Sequence, residues 1–296
     1  MPMNASEMNA EPEIGAQTRG FALVADDFAM TPAVTRGILR LAEAGRINAT
    51  GAMTNRPAWP EAARALRGLA GRLDLGLHLN LTAGQALTGA SALAPGGALP
   101  RLAPLIARGL AGRLPLPALA AEIEAQLDAF EQATGAAPDF IDGHQHVHAM
   151  PGIRRVLRSV LLRRYPGAKP WLRDAGDRLA AIRARRVEAR KAALVAALTR
   201  PFARAMREAG FRLNAGFAGF SAFDPAADYA EQFRTYLVAP GARHLVMCHP
   251  GEVDDELRAL DPATGSRPNE IAFFLSERFA GICAEAGMKP ARFSEL

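Results

Sequence analysis

FALVADDFAMTPAVTRGILRLAEAG, residues 21–45, passes from an apolar run ending in two aspartates to a helical pattern in one step. FALVAD (21–26) is short and apolar and predicts a strand. TPAVTRGILRLAEAG (31–45) predicts a helix: Thr31 caps it, Pro32 fits its first turn and Gly45 closes it. A strand feeding straight into a helix is the start of a parallel β/α unit, and the alternation continues. RINATGAMT (46–54) and LDLGLHLNL (73–81) predict the second and third strands, with a helix at PEAARALRGLAG (60–71) between them. Residues 82–116, rich in Gly, Pro, Ala and Leu, predict a long excursion with short helical pieces. A helix at 115–135 leads to FIDGH, the next strand and its end. A helix at 151–164, a strand at KPWLRD (169–174) and one or two arginine-rich helices to about residue 209 follow. FRLNAGF (211–217) and RHLVMCH (243–249) predict two more strands, and EIAFFLSERFAGICAEAG (270–287) the last helix. About seven strands separated by helices leave a β/α barrel and an open doubly wound sheet as the two architectures.

The bulk composition fits one sizeable domain over residues 20–296. Of 296 residues 49% are apolar and 22% charged, the balance of a globular chain. The first nineteen residues lack a basic start and an apolar run, so a disordered leader is expected there rather than a secretory signal. No uncharged apolar stretch is long enough to span a bilayer. The net charge of +5 does not call for a nucleic-acid partner. The densest basic run, RDAGDRLAAIRARRVEARK (173–191), reads equally as a solvated helix face and as an anion-binding patch. Cys248 and Cys283 form no CxxC and make no disulfide scaffold, so a reducing, cytoplasmic location is expected. A homodimer is the expectation from the prevalence of two-fold oligomers.

Sites in parallel β/α folds lie beyond the carboxyl ends of the strands, and the polar residues here collect there. Asp26 and Asp27 end the first strand, and His78 and Asn80 end the third. Asp142 and the cluster His144, His146 and His148 end the fourth, Arg173 and Asp174 the fifth, and His249 a later one. His244 begins its strand and reads as a bystander. A carboxylate with two imidazoles suits a borderline divalent cation such as zinc, with manganese, cobalt or nickel as alternatives; magnesium prefers a mostly oxygen shell. No HExxH, GxGxxG, Walker loop or GxSxG is present. Cys248 and His249 are strand neighbours, which point to opposite faces, so they do not read as a catalytic pair.

VADDFAMTPAVTRGI, LGLHLNLT, DFIDGHQHVHAMPG and MCHPG, in that order, resemble the YdjC-like (ChbG and HpnK) carbohydrate deacetylases. The resemblance runs from about residue 20 to the C-terminus and is weakest at 85–115 and 175–210. It implies a distorted, polysaccharide-deacetylase-like β/α barrel, one divalent metal ion (zinc or magnesium first), and removal of an N-acetyl group from an amino sugar of an oligosaccharide or glycolipid. It implies Asp27, His78 and His144 as metal ligands, Asp26 as catalytic base and His249 as acid. Two positions depart from the family pattern: Ala29 stands where glycine is usual, and Gly143 where serine is usual. If strand geometry persists through HQHVH, its three imidazoles share one face and cannot all reach one metal. His146 and Asp142 are then expected behind the ligands, and His148 along the substrate cleft. Asn80, Trp171 and Arg173 are candidate substrate contacts, Trp171 by stacking on a sugar face and Arg173 through hydroxyls or by supporting an acid. Arg267 and Glu270, in SRPNE, are expected to tie the last helix to the barrel. A phosphoesterase or a non-enzymatic sugar-binding protein are the competing readings.

Overall fold

The computed structural model describes residues 18–296. The expected leader lies outside the described residues except for its last two, and Arg19 already starts the first strand. In chain order the elements are β1 (Arg19–Phe28), α1 (Pro32–Glu43), β2 (Ala49–Ala52), α2 (Trp59–Arg67), β3 (Asp74–Leu79), α3 (Leu102–Leu110) and α4 (Leu116–Thr134). After β4 (Phe140–Gly143) come α5 (Ile153–Arg164), β5 (Trp171–Leu172), α6 (Leu179–Arg185), α7 (Ala189–Glu208), β6 (Phe217–Ala218) and α8 (Tyr229–Tyr236). The chain ends with β7 (His244–Cys248), α9 (Asp255–Leu260), α10 (Arg267–Leu275), α11 (Glu277–Glu285) and β8 (Met288–Pro290).

Seven strands form a curled parallel sheet in the order β5-β4-β3-β2-β1-β7-β6, and β8 adds below β2 on the same edge of β1. The two ends of the sheet approach each other: Leu172 of β5 bridges Leu213, just ahead of β6. Beyond that bridge Asn214 stands in for a strand ladder. Its side chain accepts from the Asp174 N–H and donates to the Asp174 carbonyl. One amide thus supplies the donor and acceptor that a regular neighbouring strand would have offered.

Side-chain alternation divides each strand between two cores. Phe21, Leu23 and Ala25 of β1 face the helices, while Ala22 and Val24 face the barrel interior with Ala49, Phe140, Trp171, Leu245 and Met247. Parallel strands covered on both faces have no solvent side, and every residue of β2 to β5 is buried, polar ones included. The helices follow their sequence signals. The Thr31 side chain accepts from the Val34 N–H and Pro32 opens α1, while Gly135, in the left-handed region, closes α4.

Two expectations are corrected, and one short strand has no counterpart in the sequence reading. The last helix is two, broken where Ser276 is extended. The strand expected at 211–217 is reduced to Phe217–Ala218, its first part being the bridge to Leu172. β8 was not anticipated; at three residues ending in proline it carries too little pattern to read. The excursion at 82–116 is pinned over the ends of β2 and β3. Glu122 of α4 accepts from the N–H groups of Leu87 and Thr88, and Gln126 brackets the backbone of Asn80 from both sides.

Candidate active site

One residue per strand caps the packed interior: Asp26, His78, Asp142, Arg173 and His249 each lie two positions beyond an interior core position. Register makes them neighbours. His78 lies level with Asp142. Extending the β4–β5 and β1–β7 pairings by a residue sets Arg173 beside Asp142 and His249 beside Asp26. The contacts follow. His78 Nδ1 lies 2.6 Å from Asp142 Oδ1. Arg173 donates from Nη1 and Nη2 to the two oxygens of Asp26 at 2.6 and 2.5 Å, and its Nη2 is also 2.5 Å from Asp142 Oδ2. Gly51 of β2 makes room, since a Cβ there would press on both His78 and Asp142.

Asp27 has the wrong parity for this layer and reaches it through its backbone. Its φ of 70° lies in the left-handed region, at a register shift between β1 and β2. The carboxylate is thereby turned to His144 Nδ1 (3.1 Å from Oδ1) and His78 Nε2 (3.4 Å), while Arg267 donates to Oδ2 at 2.7 Å. Ala29, at φ 67°, completes the turn. A non-glycine residue there costs about 1–2 kcal/mol, and burying its methyl returns roughly 0.8 kcal/mol, so the departure from glycine is tolerable.

The Asp27, His78 and His144 donor atoms all lie within 4.8 Å of one another, all buried, and fit a divalent cation. Asp142 engages Nδ1 of His78 and so leaves Nε2 facing Asp27, the arrangement by which a carboxylate orients a metal-ligating histidine. The electrostatics agree. Burial pushes the His78 pKa down, but Asp142 and Asp26 overcome it and raise it to about 10, so the site draws positive charge. Replacing Asp142 with Asn is expected to weaken binding of zinc about 10- to 100-fold, read by titration calorimetry; unchanged affinity would mean that His78 needs no such orientation.

The histidine cluster does not continue the strand. His144–Ala149 is a 3-10 turn, with Gln145 and His146 at φ 53° and 58°. The shared face expected from alternation is lost and the last two histidines exchange places. His148, expected along the cleft, is fully buried: its Nε2 meets the Arg173 carbonyl at 2.9 Å and its ring stands edge-on to Phe202. Its Nδ1 has no partner among the described residues. A Cβ at position 143 would lie 3.1 Å from that nitrogen, so the serine expected there would bring a hydroxyl within its reach. His146 is partly exposed beside Phe217 and Phe220. The imidazoles at the solvent edge are therefore those of His144, His146 and His249.

The other candidates lie away from the opening. Trp171 sits in the barrel core, stacked on Phe140 and packed on Phe293, and its indole donates to Asp74; it has no free face for a sugar. Arg173 is fully buried and occupied by Asp26 and Asp142, so it supports acids rather than meeting hydroxyls. Asn80, also buried, shapes the loop after β3 by accepting from Thr82 and Ala83 and donating to Asn55. His244 is buried at the opposite end of its strand against the Tyr236 carbonyl.

His249 Nε2 lies 3.9 Å from Asp26 Oδ2. Burial and Arg267 bring its pKa down to about 4 despite Asp26 and Asp27, so the imidazole is neutral at pH 7. Burial also raises the pKa of Asp26, but Arg173 chiefly, with His78 and His249, holds it at about 2. Phe223 stands edge-on to His249. Phe217 in β6, with Phe220 and Phe223 at three-residue spacing in the glycine-containing segment after it, forms this apolar wall, and that spacing is its one signal in the sequence. Glu270 accepts the His249 N–H at 2.6 Å, and Arg267, one helical turn earlier, holds Asp27; α10 is thus tied to both halves of the site.

Burial lifts Glu270 to about 7 against the opposing His249 N–H and Arg267. A carboxyl that holds its proton more tightly when folded contributes stability below its ordinary pKa of 4.5, lost as pH rises through about 7. The protein is therefore expected to lose roughly 3 kcal/mol over that interval relative to Glu270→Gln. Urea melts of both proteins across the interval check this, and parallel pH curves would contradict it.

A family model described as YdjC-like protein matches residues 21–285. A chitooligosaccharide deacetylase of Klebsiella pneumoniae (strain 342) is 30% identical over 237 residues, covering 79% of this chain and 82% of that protein. A human carbohydrate deacetylase is 35% identical over 144 residues, covering 47% of this chain and 44% of that protein. With it and several other curated relatives the match spans about half of the relative's length. Among solved structures, a protein of Enterococcus faecalis V583, provisionally named for cellobiose-phosphate cleavage, superposes with a TM-score of 0.73 at 22% identity, covering 94% of this chain and 98% of that one. That likeness extends the curled parallel sheet to a second protein.

Proposed function

The chain belongs to the YdjC-like family, and on that premise we propose that it is a metal-dependent hydrolase removing the N-acetyl group from an acetylated amino sugar. The observation that carries the reading is the separation of two duties between adjacent aspartates. Asp27 is turned toward two imidazoles, while Asp26 faces His249 and is held by Arg173. A binding protein has no need of the second pair.

Asp27, His78 and His144 would hold the cation, with Asp142 and Arg267 fixing His78 and Asp27. When bound, a divalent ion there supplies Lewis acidity, easing ionisation of water and polarising the acetyl carbonyl. Asp26, ionised at neutral pH, accepts the proton that the attacking water gives up. His249 starts neutral, 3.9 Å from Asp26, and would take up the proton that Asp26 has accepted and pass it to the departing sugar nitrogen, which leaves Asp26 ionised again. Amide and water thus become acetate and a free amine. Phe220 and Phe223 limit the water around these transfers.

A phosphoesterase would need free guanidinium groups for its anionic substrate. Arg173 and Arg267 are both neutralised by buried carboxylates, which favours the amidohydrolase. Chelation is expected to abolish release of acetate from an N-acetylated chitooligosaccharide, and zinc, manganese or cobalt to restore it. Full activity after complete metal removal would overturn the metal role.

A further inference from the structure

The basic run left unassigned by the sequence forms α6, α7 and their connection. From Leu179 to Glu208 they carry eight arginines and lysines against two acidic residues, Glu188 and the Glu208 that pairs with Arg204, a net charge of +6 where the whole chain has +5. The remainder of the protein is therefore net negative, and its positive charge belongs to one helical hairpin. Arg185 is buried on Asp177 and is structural. The rest of the cluster is exposed.

The exposed residues of α7 share a face. At 100° per residue, Arg190, Leu194, Arg200 and Arg204 fall within an arc of about 120°. Leu194 is 62% exposed, and Leu179 at the start of α6 is 55% exposed. Leu179 also lines an open groove of about 790 Å³, together with Ala193, Ala196, Ala197, Arg200, Arg204 and the carboxylates Asp174 and Asp177. A solvated helix face explains arginines, but not two bare leucines and an open groove among them. Arginines surrounding protruding leucines match a surface with anionic headgroups over an apolar layer. A single-stranded nucleic acid would instead want aromatic platforms, and among the described residues no aromatic side chain lines this groove.

We propose that the α6–α7 face docks the protein on an anionic phospholipid bilayer, with the arginines on headgroups and Leu179 and Leu194 entering the apolar boundary. This inference stands apart from the deacetylase reading, because it is tested without substrate. The full chain is sedimented with vesicles of phosphatidylcholine alone or with one-third phosphatidylglycerol, at low and high salt. Binding is expected only to the anionic vesicles and to weaken at high salt. The triple variant R190E/R200E/R204E is expected to bind at least about tenfold more weakly, and L194N to lose the part of binding that survives high salt. Both variants should keep the thermal stability of the parent. No binding to anionic vesicles, equal binding to neutral ones, or undiminished binding by the triple variant would overturn the proposal. So would tight binding of a short RNA by a protein that ignores vesicles.

Discussion

Asp26→Asn is expected to lower kcat/KM for amide hydrolysis by about 10²- to 10⁴-fold, the range for removal of a general base, while the cation remains bound. The two halves of this result separate the roles of adjacent residues. Asn keeps the shape of Asp26 but has no carboxylate to accept a proton, whereas the donors of Asp27, His78 and His144 are untouched. The substitution also takes one charge from Arg173, which keeps Asp142. Circular dichroism and metal stoichiometry on the same sample therefore accompany the rates. A variant with native fold, full metal and near-native rate would remove Asp26 from the mechanism. Loss of metal together with rate would place Asp26 in the ligand set instead.

The second large effect concerns Arg173→Met. Arg173 is fully buried and its guanidinium spans Asp26 and Asp142. Methionine fills similar volume but leaves both carboxylates buried in one site without their cation. Breaking a buried ion pair from one side costs about 3–5 kcal/mol, so the urea midpoint should fall sharply. A depressed carboxylate pKa contributes stability that is present above 3.8 and lost as pH falls through about 2. Without Arg173, burial would raise the Asp26 pKa, and the acidic limb of the pH–rate profile should move to higher pH. Arg173→Lys restores a charge but not the two-pronged donor, so it should recover only part of either effect. A methionine variant with native stability and an unmoved acidic limb would contradict the positioning role of Arg173.

Much of this site is legible in the sequence, because its polar residues sit where predicted strands end. Asp26, His78, Asp142, Arg173 and His249 all fall at predicted strand ends, and in the structure they share the interior-facing parity. Asp27 breaks that parity, and only its left-handed backbone brings it in. The same physics hid the outcome of HQHVH. Two residues with positive φ turn a presumed strand into a 3-10 turn, so His148 goes into the core and His146 to the edge. Trp171 and Asn80 illustrate a different limit. Trp171 lies on a strand that reaches the site and Asn80 just beyond the end of one, but a stacked aromatic core and a loop-shaping network had the stronger claim on them. Closure of the sheet through the Asn214 amide leaves no periodic trace, because one side chain performs what a strand would have done.

The most direct test follows acetate and free amine together, with an N-acetylated chitooligosaccharide and the zinc- or manganese-loaded protein. The account predicts that both products appear in equal amounts, stop on chelation and return with metal. A folded, metal-loaded protein that releases neither product from this or any other N-acetylated sugar or glycolipid would contradict it.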